Sequence, residues 1–174
     1  MPRPPFPHMM PNDLPAFASF VLTPEGKQFD LWEFDVAVGK PADPGPIFDP
    51  VKRRIALYLN SLKIDALAWQ GNLPTLIECK PTADIGCLGQ VIGYQKWYSI
   101  MFGVTPQTLV TCEEMSEQIR ILMDLNGTTV RILPPAPPHK IQEALDWIIA
   151  TNAAKGRDIR RNVSLPYIPR GENI

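Results

Sequence analysis

Proline dictates where this chain can be regular. It fixes its own φ, lacks a backbone N–H, and is excluded from helix interiors and from central strands. Most of the 20 prolines fall in four places: residues 2 to 15, the loop from Pro41 to Pro50, the stretch from Pro134 to Pro138, and the pair Pro166 and Pro169. Regular structure is therefore confined to the intervals between them. The division this predicts is an extended Pro-rich arm over residues 1–25, a single α/β domain over 26–155, and a basic tail over 156–174.

With 174 residues and 45% hydrophobic content, the chain can bury one sizeable core, and disorder throughout is excluded. A net charge of −1 argues against coating nucleic acid by bulk electrostatics, so any such contact must come from local patches. No apolar run approaches the roughly 20 residues a membrane helix needs, and the opening Met1-Pro2-Arg3-Pro4-Pro5 is no secretory signal. An intracellular or particle-bound protein is expected, with no membrane partner. Cys79, Cys87 and Cys112 form no close pair, which points to buried free thiols rather than disulfides or a zinc knuckle.

Hydrophobic spacing then assigns elements. A short helical turn is expected around Asp13 to Phe20. From 29 to 38 the residues alternate, with Leu31, Glu33, Asp35 and Ala37 opposite Trp32, Phe34, Val36 and Val38. Asp49-Pro50 reads as a helix start, and Val51, Ile55 and Leu59 give a helix from about 50 to 61. Strands at 62–69 and 76–80 are joined by the turn Gln70-Gly71-Asn72-Leu73-Pro74. Asp84 caps a long helix to about Phe102, closed by Gly103. A strand at 107–112, a helix at 114–125, a strand at 128–133 and a helix at roughly 140–155 complete the domain.

One constellation carries chemistry. In Leu76-Ile77-Glu78-Cys79-Lys80 the alternation of a strand puts Glu78 and Lys80 on one face and Ile77 and Cys79 on the other. The hairpin brings Asp65 within reach of Glu78. In the long helix Gly86, Gly89 and Gly93 fall on one stripe beside Gln90 and Tyr94, and each costs on the order of 1 kcal/mol relative to alanine. Close approach of the helix to a sheet or a ligand would offset that. Hydrolysis of a phosphodiester needs charge neutralised on the phosphate, a water activated and a leaving oxygen stabilised, all within the capacity of divalent metal ions held by carboxylates. Magnesium takes one or two carboxylates plus waters and substrate oxygens. Asp65 and Glu78, with the main-chain carbonyl of Cys79, suffice for that.

The order of an aspartate on one strand, Glu78-x-Lys80 at the end of the next, and Gln90-x-x-x-Tyr94 on the following helix resembles the PD-(D/E)XK nuclease superfamily. Lys63-Ile64-Asp65, Ile77-Glu78-Cys79-Lys80-Pro81 and Leu88-Gly89-Gln90-x-x-x-Tyr94 look like its small phage-encoded members. The similarity spans residues 60 to 112 and lacks a proline before Asp65. It implies a restriction-endonuclease-like core, a central mixed sheet flanked by helices, and cleavage of DNA or RNA with magnesium or manganese. Asp65, Glu78, Lys80, Gln90 and Tyr94 occupy the matching catalytic positions. Either 13–20 or 50–61 could supply the first core helix.

Other residues have plainer readings. Glu33 and Asp35 read as solvated strand charges, although either could add a metal ligand. Trp97 and Tyr98 read as core, and His8 and His139 as surface residues without a triad. Lys52, Arg53, Arg54 and the tail arginines could contact phosphates or simply be solvated. The arm, Met1 to Pro7, reads as a spacer or as a polyproline ligand for another protein. Two functions follow: a metal-dependent nuclease with a nucleic-acid partner, or a structural adaptor of a phage particle. The adaptor would keep the nuclease fold and bind neighbours, in a homo- or hetero-oligomeric assembly, through its arm and tail. The corresponding locations are the cytoplasm of a host cell or the virion.

Overall fold

The structure, a computed structural model, describes residues 9–43, 45–47 and 49–156. The elements run α1 (Leu14–Val21), β1 (Leu31–Val38), α2 (Pro50–Asn60), β2 (Leu62–Gln70), β3 (Leu73–Ala83), α3 (Ile85–Phe102), β4 (Gln107–Met115), α4 (Glu117–Leu125), β5 (Thr129–Ile132) and α5 (Pro138–Ala154). The five strands lie in the order β1-β2-β3-β4-β5. β2 runs antiparallel to both β1 and β3, whereas β3, β4 and β5 are parallel. This is the mixed sheet flanked by helices that the sequence leads one to expect.

β3 is central, and its residues 74–79 are all buried because helices cover both faces. Ile77 and Cys79 join a cluster with Phe17, Phe20 and Val21 of α1 and Ala144, Leu145 and Ile148 of α5. Leu76 joins a second cluster with Cys87, Leu88, Val91, Tyr94 and Tyr98 of α3 and Met123 of α4. Asp84 caps α3 by accepting from the Cys87 N–H at 2.9 Å, and Gly103 ends it at φ 71°. The three cysteines are buried and free. No helix among the described residues is long and apolar enough to cross a membrane.

Two expectations need correcting, and one open alternative is settled. Residues 14–21 are not part of an extended arm. α1 is a core element, and Phe17 meets both Trp32 and Phe34 edge-on at 5.7 and 5.8 Å. It is α1 that packs on the sheet as the first core helix, whereas α2 buries none of its residues. The alternation of β1 also breaks. Trp32 and Phe34 belong to the α1/α5 cluster but Val36 and Val38 to the α3 cluster, and the reversal falls at Asp35, whose φ is +53°. Residues 1–8 of the arm, His8 among them, and the tail 157–174 lie outside the described residues.

Candidate active site

The site forms where two strands part. The β2–β3 ladder runs from Gln70 opposite Leu73 to Ala66 opposite Ile77 and stops there. The next residue of each strand is Asp65 and Glu78. In place of a ladder bond, Asp65 Oδ2 accepts from the Cys79 N–H at 3.2 Å. A strand residue aims its N–H and C=O at the same edge, so the Cys79 carbonyl also faces this fork.

Lys80 gathers the acids. Its Nζ lies 3.0 Å from Glu78 Oε1, 3.8 Å from Asp13 Oδ2 and 4.0 Å from Asp65 Oδ2. Hence the Glu78 and Asp65 oxygens are no further apart than the sum of their two distances to the ammonium. Glu78 is 1% exposed, and its Oε2 has no hydrogen-bond partner among the described residues. A buried acceptor left unmatched costs on the order of 1–3 kcal/mol, more when charged. Lys80, with 28% of its side chain exposed, opens the cluster to solvent.

Burial, then the Asp65 charge, pushes the Glu78 carboxyl up to about 8, against the pull of Lys80. Burial likewise lifts Asp65 to about 6 while Lys80 and the Cys79 N–H oppose it. Asp13 is also raised by burial. Burial alone would lower the Lys80 ammonium; the carboxylates of Glu78, Asp65 and Asp13 outweigh it and hold the proton more tightly than usual. The cluster has more negative charge than its one lysine neutralises.

Tyr94 stands on the buried side of α3. Its hydroxyl is raised by burial and then by Glu78, which places it in the field of the cluster. Gln90 is exposed and reaches Tyr94 Oη with Nε2 at 3.4 Å. Neither side chain has a hydrogen bond to Lys80. Of the two neighbours expected for the glycine stripe, the sheet is excluded: a Cβ added to Gly89 or Gly93 would meet nothing within 4 Å, and at Gly86 only the Asp84 side chain. The stripe does not press against the sheet, and it leaves bare helix backbone beside Gln90.

Two residues at this place have signals that sequence patterning misreads. Asp13 sits before α1, where an aspartate reads as a cap, yet its side chain makes no cap hydrogen bond and turns to Lys80. Asp35 is 4% exposed rather than solvated. Glu33 is also engaged, accepting from Trp69 Nε1 at 2.9 Å. Trp97 and Tyr98 pack in the α3 cluster, and His139 is exposed. Arg53 is bound to Asp43 by its Nε at 2.8 Å.

Among the described residues no group of three His, Cys, Asp or Glu side chains is set to hold a metal ion. A full protein cage is thus not what these residues offer. They fit a hard cation that keeps its own waters: a buried carboxylate with an orphaned oxygen, a second carboxylate 15% exposed, and a carbonyl aimed at the same fork.

No family model and no curated protein matches the chain. Among solved structures it is similar to a repair endonuclease from Pyrococcus abyssi, at 19% identity, with a TM-score of 0.39. The similarity covers 42% of this chain and 33% of that one, so it spans about a third of that protein's length. Likeness at this level concerns the course of the backbone alone.

Proposed function

We propose that this domain is a metal-dependent nuclease that hydrolyses phosphodiesters, DNA in the first place, at the fork of β2 and β3. The observation that carries the reading is Glu78 Oε2, a buried and unmatched carboxylate oxygen in a cluster with surplus negative charge. Nothing in ordinary packing requires such an atom, and a cation would satisfy it.

Asp65, Glu78 and the Cys79 carbonyl hold magnesium or manganese. When bound, the metal neutralises charge on the phosphate and lowers the cost of deprotonating water. Lys80, kept protonated by its three acids, orients the attacking water and offsets negative charge that builds at the phosphorus oxygens. Asp13 adds a third acid within 3.8 Å of the Lys80 ammonium. Gln90 and Tyr94 line the approach, where the uncovered glycines let a substrate backbone lie against α3. The test is cleavage of plasmid and linear DNA with magnesium or manganese by wild type, Glu78→Ala and Lys80→Ala. Cleavage by wild type with a loss of at least about 100-fold in both variants is expected; equal cleavage by all three would sink the reading.

One observation favours a second reading, a domain held in a protein assembly. α2 buries none of its residues, and Val51, Ile55 and Leu59 stand exposed along one stripe. Light scattering that finds a monomer at all concentrations would remove its homo-oligomeric form.

A further inference from the structure

We infer that Asp35 is a positioning residue for Asp65, acting through its backbone: the left-handed turn at this one strand position sets the aim of the acid beside it. The inference rests on the proposed site for the meaning of Asp65, but its geometry stands by itself. Asp35 is the sole residue other than glycine with positive φ among the described residues, at +53°. It is also 4% exposed, so the conformation is held inside the protein rather than at a loop tip.

The register explains what this does. In the β1–β2 ladder Phe34 pairs with Ala66 and Val36 with Ile64, so Asp35 stands opposite Asp65. On one side of that pair Trp32, Phe34, Ala66 and Ala68 all belong to the α1/α5 cluster. On the other side Val36, Val38 and Ile64 all belong to the α3 cluster. A regular strand keeps every second residue on one face. Both strands therefore reverse their facing at the same rung, and in β1 the residue that turns the strand over is Asp35, through its left-handed backbone.

Asp65 lies at the turning point of β2. Without the reversal, β2 would continue its pairing with β3 past Ala66, and the Cys79 N–H would have no need of the Asp65 side chain. The carboxylate of Asp35 is near enough for Tyr58, Lys63 and Asp65 to feel its charge. Aspartate, asparagine and glycine tolerate left-handed backbone far better than alanine or glutamate. The backbone role and the charge role can therefore be separated by substitution.

The experiment reads amide hydrogen exchange at Cys79 by NMR in the metal-free full chain, because that N–H is the one Asp65 binds. Asp35→Gly and Asp35→Asn keep the conformation without the charge, and Cys79 exchange is expected within about threefold of wild type. Asp35→Ala keeps neither and Asp35→Glu only the charge; in both, exchange is expected to quicken at least tenfold while the Ile77 and Val110 amides stay protected, about 1.4 kcal/mol. Failure of the alanine and glutamate variants to fold, with the glycine and asparagine variants folded, is the same result in stronger form. Wild-type-like Cys79 exchange in Asp35→Ala, or quickened exchange in Asp35→Gly and Asp35→Asn, would overturn the inference. Neither cleavage nor metal binding is read, so this inference and the nuclease reading can fail separately.

Discussion

Glu78 shows how a residue's burial becomes a measurable property of the protein. Its carboxyl is raised from 4.5 to about 8 and that of Asp65 from 3.8 to about 6. The folded chain therefore keeps protons that the unfolded chain has already released. The contribution of these two groups to metal-free stability is fully present below about pH 4 and is lost as pH rises from there to about 8. Glu78→Gln cannot lose a proton, so its stability should vary less over that window. At pH 8 it should exceed wild type by a few kcal/mol, on the order of one per pKa unit; chemical denaturation at pH 4, 6 and 8 checks this. The pair Glu78 and Lys80 was legible because alternation on a strand needs nothing but spacing. Asp13 was not, because an aspartate before a helix reads as a cap and no local pattern shows that its side chain turns elsewhere. Asp35 failed in the same way, since a left-handed residue inside a strand leaves the sequence alternation intact.

At the scale of elements, the two short helices differ in kind. α1 places Phe17 and Phe20 in the core, and Asp13 reaches Lys80 only because α1 is docked. Phe17→Ala should cost about 3–5 kcal/mol, and Ile55→Ser on α2 no more than about 0.5 kcal/mol, in thermal or denaturant unfolding. Both segments read as short helices, and nothing in the sequence says which one the sheet covers. The long helix was legible to its ends, with Asp84 and Gly103 as stops. Of the two neighbours its glycines could admit, a sheet or a ligand, the structure removes the sheet, and spacing does not separate them because an exposed stripe and one pressed on a sheet repeat alike. Gly89 now carries a prediction of its own. With helical backbone and open space around it, Gly89→Ala should stabilise the fold by about 1 kcal/mol in a thermal melt. If the stripe is where substrate lies, the same change should raise KM for DNA.

For the whole molecule, the proposed function depends on a sheet whose β2–β3 ladder ends at Ala66 and Ile77 while both strands run on. Five strands in sequence order, antiparallel on one side of β3 and parallel on the other, bury β3 on both faces. The mixed α/β class was legible because strand and helix periods alternate along the chain. The join between β2 and β3 was legible too, through Gly71 and Asn72 at their turn, although Pro74 proved to be in the strand. The point where the ladder stops was not, since it depends on how two strands diverge in space. The most direct test of the account is manganese binding, followed by electron paramagnetic resonance, in wild type and Glu78→Gln. Wild type should bind manganese and the variant should bind at least tenfold more weakly, while remaining folded. Equal binding by the two proteins, or none by wild type, would contradict the claim that the unmatched oxygen of Glu78 is a metal ligand.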